Sequence, residues 1–393
     1  MVIEKRKLSQ IFFIIYLILV TGFFHLADKD GGRITDIGLC FGFVFLLVAL
    51  RRFSYGGLRY RNIMLFALLL SITSALASTI TTGQPFFMGL RPQRQYIVAW
   101  IMYLAISQEF TTDSDIQWLI KTIKACSYIQ LTLYIVQFFL ADRVVFLQID
   151  ILERYGTPRL YGSMVFISLH FLFALSEQIK SEKLLKQNVF DILLIISYIA
   201  FIRKGRMITI VFIGMVVVAL MLWRGAKSNK IIILVVGLWL MSFYLTDAVI
   251  ESFMSAISSN SAEASVLVRD SAKDYYLTKL MDNPIMGMGY INTDYPRAAK
   301  LAGIGQGYLV VDNGVYGYLY QYGILGGLWC AVVLLKLILD GIRMSKISEY
   351  LPLLFCIFSL LGMQSGHWIS YMEESLMLVI VCFYSDYIHR EFL

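Results

Sequence analysis

The sequence predicts an all-α polytopic membrane protein with about 12 transmembrane helices and one large external loop carrying an amphipathic helix. Composition is the first reason. Of 393 residues, 58% are apolar and only 16% charged, against roughly 25% charged in soluble domains. Mean hydropathy is +0.70, and the polar surface that a soluble fold of this size needs is missing. The second reason is length. Apolar runs of about 20 residues, enough to cross a hydrocarbon core of about 30 Å, recur from one end to the other. The third is the 24 Tyr, 6 Trp and 28 Gly, which suit aromatic belts and close helix packing. Together they describe a single membrane domain over 1–393.

In chain order the expected spans are 9–25, 34–50, 62–80, 95–109, 117–140, 160–178, 188–202, 207–223, 231–246, 308–338, 350–366 and 371–388. The first follows Lys5, Arg6 and Lys7 without a small-residue cleavage site, so it reads as an uncleaved span rather than a signal peptide. Basic clusters follow at Arg51, Arg52, Arg59 and Arg61, at Lys180, Lys183 and Lys186, at Arg224, Lys227 and Lys230, and at Arg343 and Lys346. Twelve spans put every cluster on one side, which the positive-inside bias makes the cytoplasm. Both termini are then cytoplasmic, and the segment 247–307 is external. Within it, 264–281 spaces Val268, Tyr275, Tyr276 and Leu280 as a helix would. An amphipathic helix on the outer membrane surface is expected there. Pro284 ends it, and Gly287 and Gly289 begin a turn.

The net charge of +7 does not point to nucleic acid. The basic residues sit in short clusters between apolar runs, not along one polar face. Five cysteines lack CxxC spacing, so neither a disulfide framework nor a zinc site is inferred. The four histidines are scattered, and no metal or other cofactor is expected.

The informative residues are charges on the unexpected side. Arg203-Lys204-Gly205-Arg206 lies between two runs whose far ends are cytoplasmic, so it belongs near the outer face. Arg203 and Arg206 are three apart and would share a face on a helix. Guanidinium forks match phosphate oxygens in bidentate geometry, which suggests a bound phosphate headgroup; a solvated hairpin with incidental charge is the alternative. Arg91 and Arg94 form a second outward pair, where Pro92 equally suits a plain surface loop. Arg269 and Lys273, four apart on the surface helix, could meet lipid phosphates in general or one lipid-linked substrate. Asp312 and Asn313 open a long apolar run. A carboxylate there should face a cavity or a basic partner, as a general base on a hydroxyl would; a helix cap at the interface is the alternative. His367, Glu373 and Glu374 read as interfacial, and Lys121 and Lys124 as snorkelling toward the cytoplasm.

Two segments, RDSAKDYYLTKLMDNPIMGMG and DNGVYGYLYQYGILGG, resemble the C-terminal signature of the O-antigen polymerase and ligase superfamily. RKGRMITIVFIG resembles its Arg-led span before the external loop. The likeness covers roughly 200–330. It implies a metal-independent, inverting glycosyl transfer at the outer face of the bacterial plasma membrane, from a glycan on undecaprenyl diphosphate. Arg206 and Arg269 match the positions that hold the diphosphate, with Arg203, Lys204, Arg91, Arg94, Lys273 and Asn313 as further substrate contacts. Asp312 stands where ligases carry a His, which favours a polymerase with a carboxylate base. The expected partners are the lipid-linked glycan, the bilayer and a chain-length regulator, with no nucleic acid. A ligase moving finished glycan to lipid A core or protein is the nearest alternative, and a lipid flippase is the alternative of another class.

Overall fold

The computed structural model describes residues 2–22, 31–50, 57–147, 149–154, 157–225, 262–363 and 372–392. Helix accounts for 79% of the structure. The order is α1 (Val2–Thr21), α2 (Gly31–Leu50), α3 (Arg61–Thr82), the short α4 (Phe86–Leu90), α5 (Arg94–Glu109) and α6 (Asp113–Leu140). A hairpin of β1 (Asp150–Arg154) and β2 (Thr157–Tyr161) precedes α7 (Val165–Lys180). Next come α8 (Lys186–Ser197), α9 (Arg206–Leu222), α10 (Ala262–Asp282), the short α11 (Pro296–Leu301), α12 (Gly314–Ser345), α13 (Leu351–Leu361) and α14 (Met372–Phe392). The run at 231–246 lies outside the described residues; the other expected runs fold as helix over most of their length. Among the described residues, Arg61–Thr82, Asp113–Leu140 and Val310–Ser345 are long and apolar enough to cross a membrane.

The bundle is apolar outside as well as inside. On α3, Leu65, Leu69, Ile72, Leu76 and Ile80 are exposed at helical spacing, and on α12 so are Ile324, Leu328, Val332, Leu335 and Leu339. A helix in water turns polar residues outward; these outward stripes suit lipid. At the centre stand α7 and α14, buried nearly all round from Val165 to Leu175 and from Leu376 to Ile388.

Polar side chains fasten one end of the bundle. Arg59 NH2 meets Asp340 Oδ1 at 2.6 Å, Lys124 meets Glu177 at 2.8 Å and Lys180 meets Glu349 at 2.5 Å. Tyr387 donates to Asp113, and Trp223 Nε1 donates to Ser181 O at 2.5 Å. The described residues of the basic clusters at 59–61, 180–186, 224 and 343–346 therefore share one end, as their sequence spacing predicts.

The opposite end is built around a break in α12. Gly323 has φ 62 and ψ −164 inside the helix. That conformation removes the ladder bonds from the Ile324 and Leu325 amides to the Tyr320 and Gln321 carbonyls. All four groups find other partners. Ile324 N donates to Pro284 O at 2.9 Å and Leu325 N to Ile285 O at 3.2 Å, while Tyr320 O accepts from Met288 N at 2.7 Å. Gln321 O accepts from Ser74 Oγ at 3.1 Å. The segment after α10 is thus a splint for the break, which matters because unpaired backbone groups at membrane depth cost several kcal/mol each.

Two glycines let the splint approach so closely. Gly287 has φ +66, and a Cβ on it would stand 2.5 Å from Tyr320 O. Gly289 has φ +84, and a Cβ there would overlap the Ser78 amide of α3. Gln84 ties the same segment down, its Nε2 donating to Tyr290 O at 2.8 Å and its Oε1 accepting from Asn292 N at 3.1 Å.

The structure departs from the sequence reading in three places. Residues 157–161 form β2, so the run expected from 160 is helical only from Val165, and the fold is not purely α. Second, α10 forms as expected but buries Ala272 and Tyr276 against Met288, Ile291 and Tyr320, with Leu280 also buried, while Val268 stays exposed. It packs on the protein through a small core of its own. Third, the chain breaks between Arg203 and Arg206, because Lys204 takes a left-handed conformation with φ 49. The two arginines therefore do not share one helical face.

Replacing Gly289 with Ala is expected to lower stability by about 2–4 kcal/mol, from left-handed strain plus overlap with α3. Gly305→Ala should change little, since a Cβ there meets nothing within 4 Å. Thermal unfolding of the two purified variants in detergent checks the contrast.

Candidate functional site

Two groups of functional side chains occupy the end opposite the ion-pair clusters. The first is a clasp between the β hairpin and the turn before α9. A π-helical turn, Tyr198–Arg203, carries α8 to its end, and Gly205 heads α9. Arg203, 5% exposed, donates from NH1 to Gly162 O at 2.6 Å. In return Arg159 Nε donates to Arg203 O at 2.9 Å. Tyr161 lies between them, its ring centre 4.0 Å from the Arg159 guanidinium carbon and 5.5 Å from that of Arg203. Lys204 is also buried, with its ammonium 5.5 Å over the Phe138 ring. Glu373 Oε2 accepts from Met164 N at 2.8 Å, and the buried Glu374 lies within electrostatic reach of Arg203. Arg206 opens α9 directly after this turn.

The second group forms where α10 meets the start of α12. Asp312 and Asn313 belong to a 3-10 turn, Val310–Asn313, and α12 begins at Gly314. Asn313 is buried; its Nδ2 donates to Leu309 O at 2.8 Å, and its Oδ1 has no hydrogen-bond partner among the described residues. Asp312 is half-buried. Lys273 pairs with Asp270 at 2.9 Å and lies 5.8 Å over the ring of Tyr316, one turn beyond Asp312. Arg269 is exposed on the same helix, one turn before the buried Ala272. Tyr275, Tyr276, Tyr308 and Tyr320 cluster beneath. Burial holds the Tyr276 phenol above its ordinary range, with the Asp312 charge a lesser contributor. It stays a neutral donor, bonded to Ala302 O at 3.1 Å.

Arg203 and Lys204 belong to the turn that Arg206 follows in the chain, and on α10 Lys273 lies over the ring of Tyr316, one turn beyond Asp312. The two sets flank α13, which packs against both α9 and α12, with Val315 N donating to Met363 O at 2.9 Å. Arg94 is committed elsewhere: its NH2 meets Asp36 Oδ1 at 2.8 Å, and its NH1 donates to the Arg91 carbonyl at 3.1 Å. Arg91 is exposed beside it. His367 lies outside the described residues. Lys124 does not snorkel but pairs with Glu177.

Two features escaped the sequence reading. Arg159 was hidden at the edge of an expected span, and only the hairpin brings it to Arg203. The other is a polar network on α6, α7 and α8 with Ser127, His170 and Asp191 buried at its centre. His170 Nε2 lies 3.0 Å from Asp191 Oδ2, and its Nδ1 lies 3.1 Å from Ser127 Oγ. Tyr128 donates to Asp191, and Gln187 Nε2 donates to Asp191 Oδ1 at 3.0 Å. The satisfied geometry of this network fits a lock between three helices, closed at the surface by Gln187 and Tyr128. Among the described residues, no group of three His, Cys, Asp or Glu side chains could hold a metal ion.

In comparisons with known proteins, the chain matches no family model and no curated protein.

Removing an acceptor shared by several donors costs about 1–3 kcal/mol for each buried donor left unpaired, and Asp191 accepts from Tyr128 and Gln187 and lies against His170. Asp191→Ala is therefore expected to destabilise the purified protein by about 3 kcal/mol. His170→Leu should cost less in the Asp191→Ala background than in wild type. A double-mutant cycle on thermal or denaturant unfolding measures that coupling.

Proposed function

We propose that the chain is a polysaccharide polymerase: a membrane glycosyltransferase of about twelve spans that joins undecaprenyl-diphosphate-linked repeat units outside the bacterial plasma membrane. One observation carries the reading. At the end away from the basic clusters, Lys273 on α10 stands 5.8 Å over the ring of Tyr316, one turn beyond the half-buried carboxylate Asp312 at the head of α12, and Arg269 lies one turn before Lys273 on α10. The second cationic group, Arg203 to Arg206, stands across α13. The positive-inside bias makes this end external.

Each part has a place in the chemistry. An acceptor hydroxyl attacks the anomeric carbon, the bond from that carbon to the diphosphate oxygen breaks, and the lipid diphosphate leaves. Asp312 takes the hydroxyl proton as the new bond forms. Arg206 and Arg269 stabilise charge on the departing diphosphate. A single displacement inverts the anomeric centre. Asn313, bonded to Leu309 O, holds the turn that presents Asp312. The mobile partner on this reading is a growing lipid-linked chain, with a chain-length regulator as a further protein partner. A ligase would share this geometry and differ in its acceptor.

A transporter or flippase is the second reading, favoured by the broken α12 and the buried His170–Asp191 pair, since broken helices and intramembrane charges mark transport paths. Against it, both cationic groups gather at one end.

The surface-glycan ladder of a deletion strain separates these readings. The expected outcome is single repeat units on their final anchor and no ladder, restored by wild type but not by Arg206→Ala or Arg269→Ala. Asp312→Asn should lower polymer formation by about 10²–10⁴-fold. Loss of every anchored unit with lipid-linked polymer retained would mean a ligase. Single lipid-linked units held on the cytoplasmic side would mean a flippase. A wild-type ladder from both arginine variants would remove the diphosphate assignment.

A further inference from the structure

The tyrosines around Asp312 fall into two kinds. Tyr275 and Tyr320 donate their hydroxyls to Leu301 O at 2.9 and 2.7 Å, and Tyr276 donates to Ala302 O at 3.1 Å. These three fasten the end of α11 to α10 and α12, and the protein already answers each hydroxyl. Tyr308 and Tyr316 differ. Both are half-buried, and among the described residues the hydroxyl of neither makes a hydrogen bond. The Asp312 carboxylate is likewise without a hydrogen bond or ion pair among the described residues.

Tyr308 stands four residues before Asp312 and Tyr316 four after it, and both rest on α10. The Lys273 ammonium lies 5.8 Å over the Tyr316 ring. One turn along α10, Tyr276 meets Tyr308 at 6.4 Å between ring centres, with Tyr275 at 5.5 Å. Gly303 makes room for the Tyr308 ring: a Cβ there would stand 2.6 Å from Tyr308 Cδ2. A part-exposed phenol with a free hydroxyl offers an apolar ring and a hydrogen-bonding group together. A pyranose presents the complement, C–H patches of slight positive charge beside hydroxyls, and the negative face of an aromatic ring attracts the former. Phosphate calls for cations instead, and a lipid chain has no use for the hydroxyls.

We infer that Tyr308 and Tyr316 are the binding residues of a sugar subsite for the acceptor end of the glycan, holding the ring whose hydroxyl Asp312 deprotonates. This rests on the proposed function. There Asp312 takes the proton of the acceptor hydroxyl, so the sugar that bears it must lie against whatever flanks Asp312. The subsite is distinct from the diphosphate assignment to Arg206 and Arg269, because it reads ring shape and hydroxyls rather than charge.

The test is competition against polymer formation from lipid-linked repeat units by the full chain in nanodiscs. Two competitors are compared: the repeat-unit oligosaccharide released from its lipid, which carries the sugars alone, and undecaprenyl diphosphate, which carries none. Tyr308→Ala and Tyr316→Ala are each expected to weaken inhibition by the oligosaccharide about 3–10-fold, the size of one aromatic contact. Undecaprenyl diphosphate should stay as potent as in wild type. Tyr308→Phe and Tyr316→Phe, which keep the ring and lose the hydroxyl, should fall between Ala and wild type. Wild-type oligosaccharide potency in both folded Ala variants overturns the inference. So does an equal loss for both competitors, which marks a damaged site rather than a sugar contact. Should an Ala variant not fold, Tyr308→Leu or Tyr316→Leu removes the aromatic ring with less loss of volume, and wild-type potency there overturns the contact. Wild type that polymerises with no inhibition by the oligosaccharide overturns the subsite and leaves the proposed function standing. Wild type that forms no polymer from lipid-linked units removes the proposed function and this inference together.

Discussion

The break at Gly323 is the constraint from which the end of the bundle opposite the ion-pair clusters is built. A helix interrupted at membrane depth exposes two amides and two carbonyls, and lipid offers none of them a partner. Three come from the 284–288 segment and one from Ser74. The splint therefore joins three elements in one place: the C-terminus of α10, the wall of α3 and the upper part of α12. Gly287 and Gly289 follow from the same requirement, since only a residue without Cβ fits between two backbones at positive φ. With the splint fixed, α10 has one way to lie, and its Lys273 comes to Tyr316 in the first turn of α12.

The two ends are held by different means. At the end with Arg59, Lys180 and Glu349, ion pairs link helices that the sequence separates by more than a hundred residues. Buried pairs of this kind contribute little net stability, because desolvation offsets most of their attraction, but breaking one is costly. They fix register. The other end relies on irregular backbone: a π-turn after α8, a 3-10 turn before α12, the hairpin and the splint. Irregular backbone positions side chains that regular helices cannot, which is why the cations and the carboxylate gather there.

Much of the fold was legible in the sequence because lipid makes a simple demand. A run of about 20 apolar residues has few alternatives to helix, and the spacing of basic residues places the clusters at one end. What periodicity could not supply was pairing across helices. His170 meets Asp191 and Ser127 through the packing of α6, α7 and α8, and nothing local in any of the three announces it. The hairpin was missed for a physical reason too. Leu160 and Tyr161 adjoin the apolar start of α7, so strand and helix merge into one hydrophobic run. On α10 the face was misjudged because Ala272, small and unremarkable in sequence, is what lets the helix approach α12 closely.

The candidate site was legible in part, and its errors share a cause. Side and spacing identify cations in unexpected places without saying what satisfies them. A guanidinium with little access to water must have its charge met by the protein, and once Gly162 O, Tyr161 and Glu374 do so for Arg203, its position answers to those groups first. Arg94 is likewise answered by Asp36. A cation is available to a ligand in proportion to how incompletely the fold has met its charge, and burial measures that better than placement along the chain. By that measure exposed Arg269 on α10 is a better candidate for contact than Arg203, which the sequence made most conspicuous.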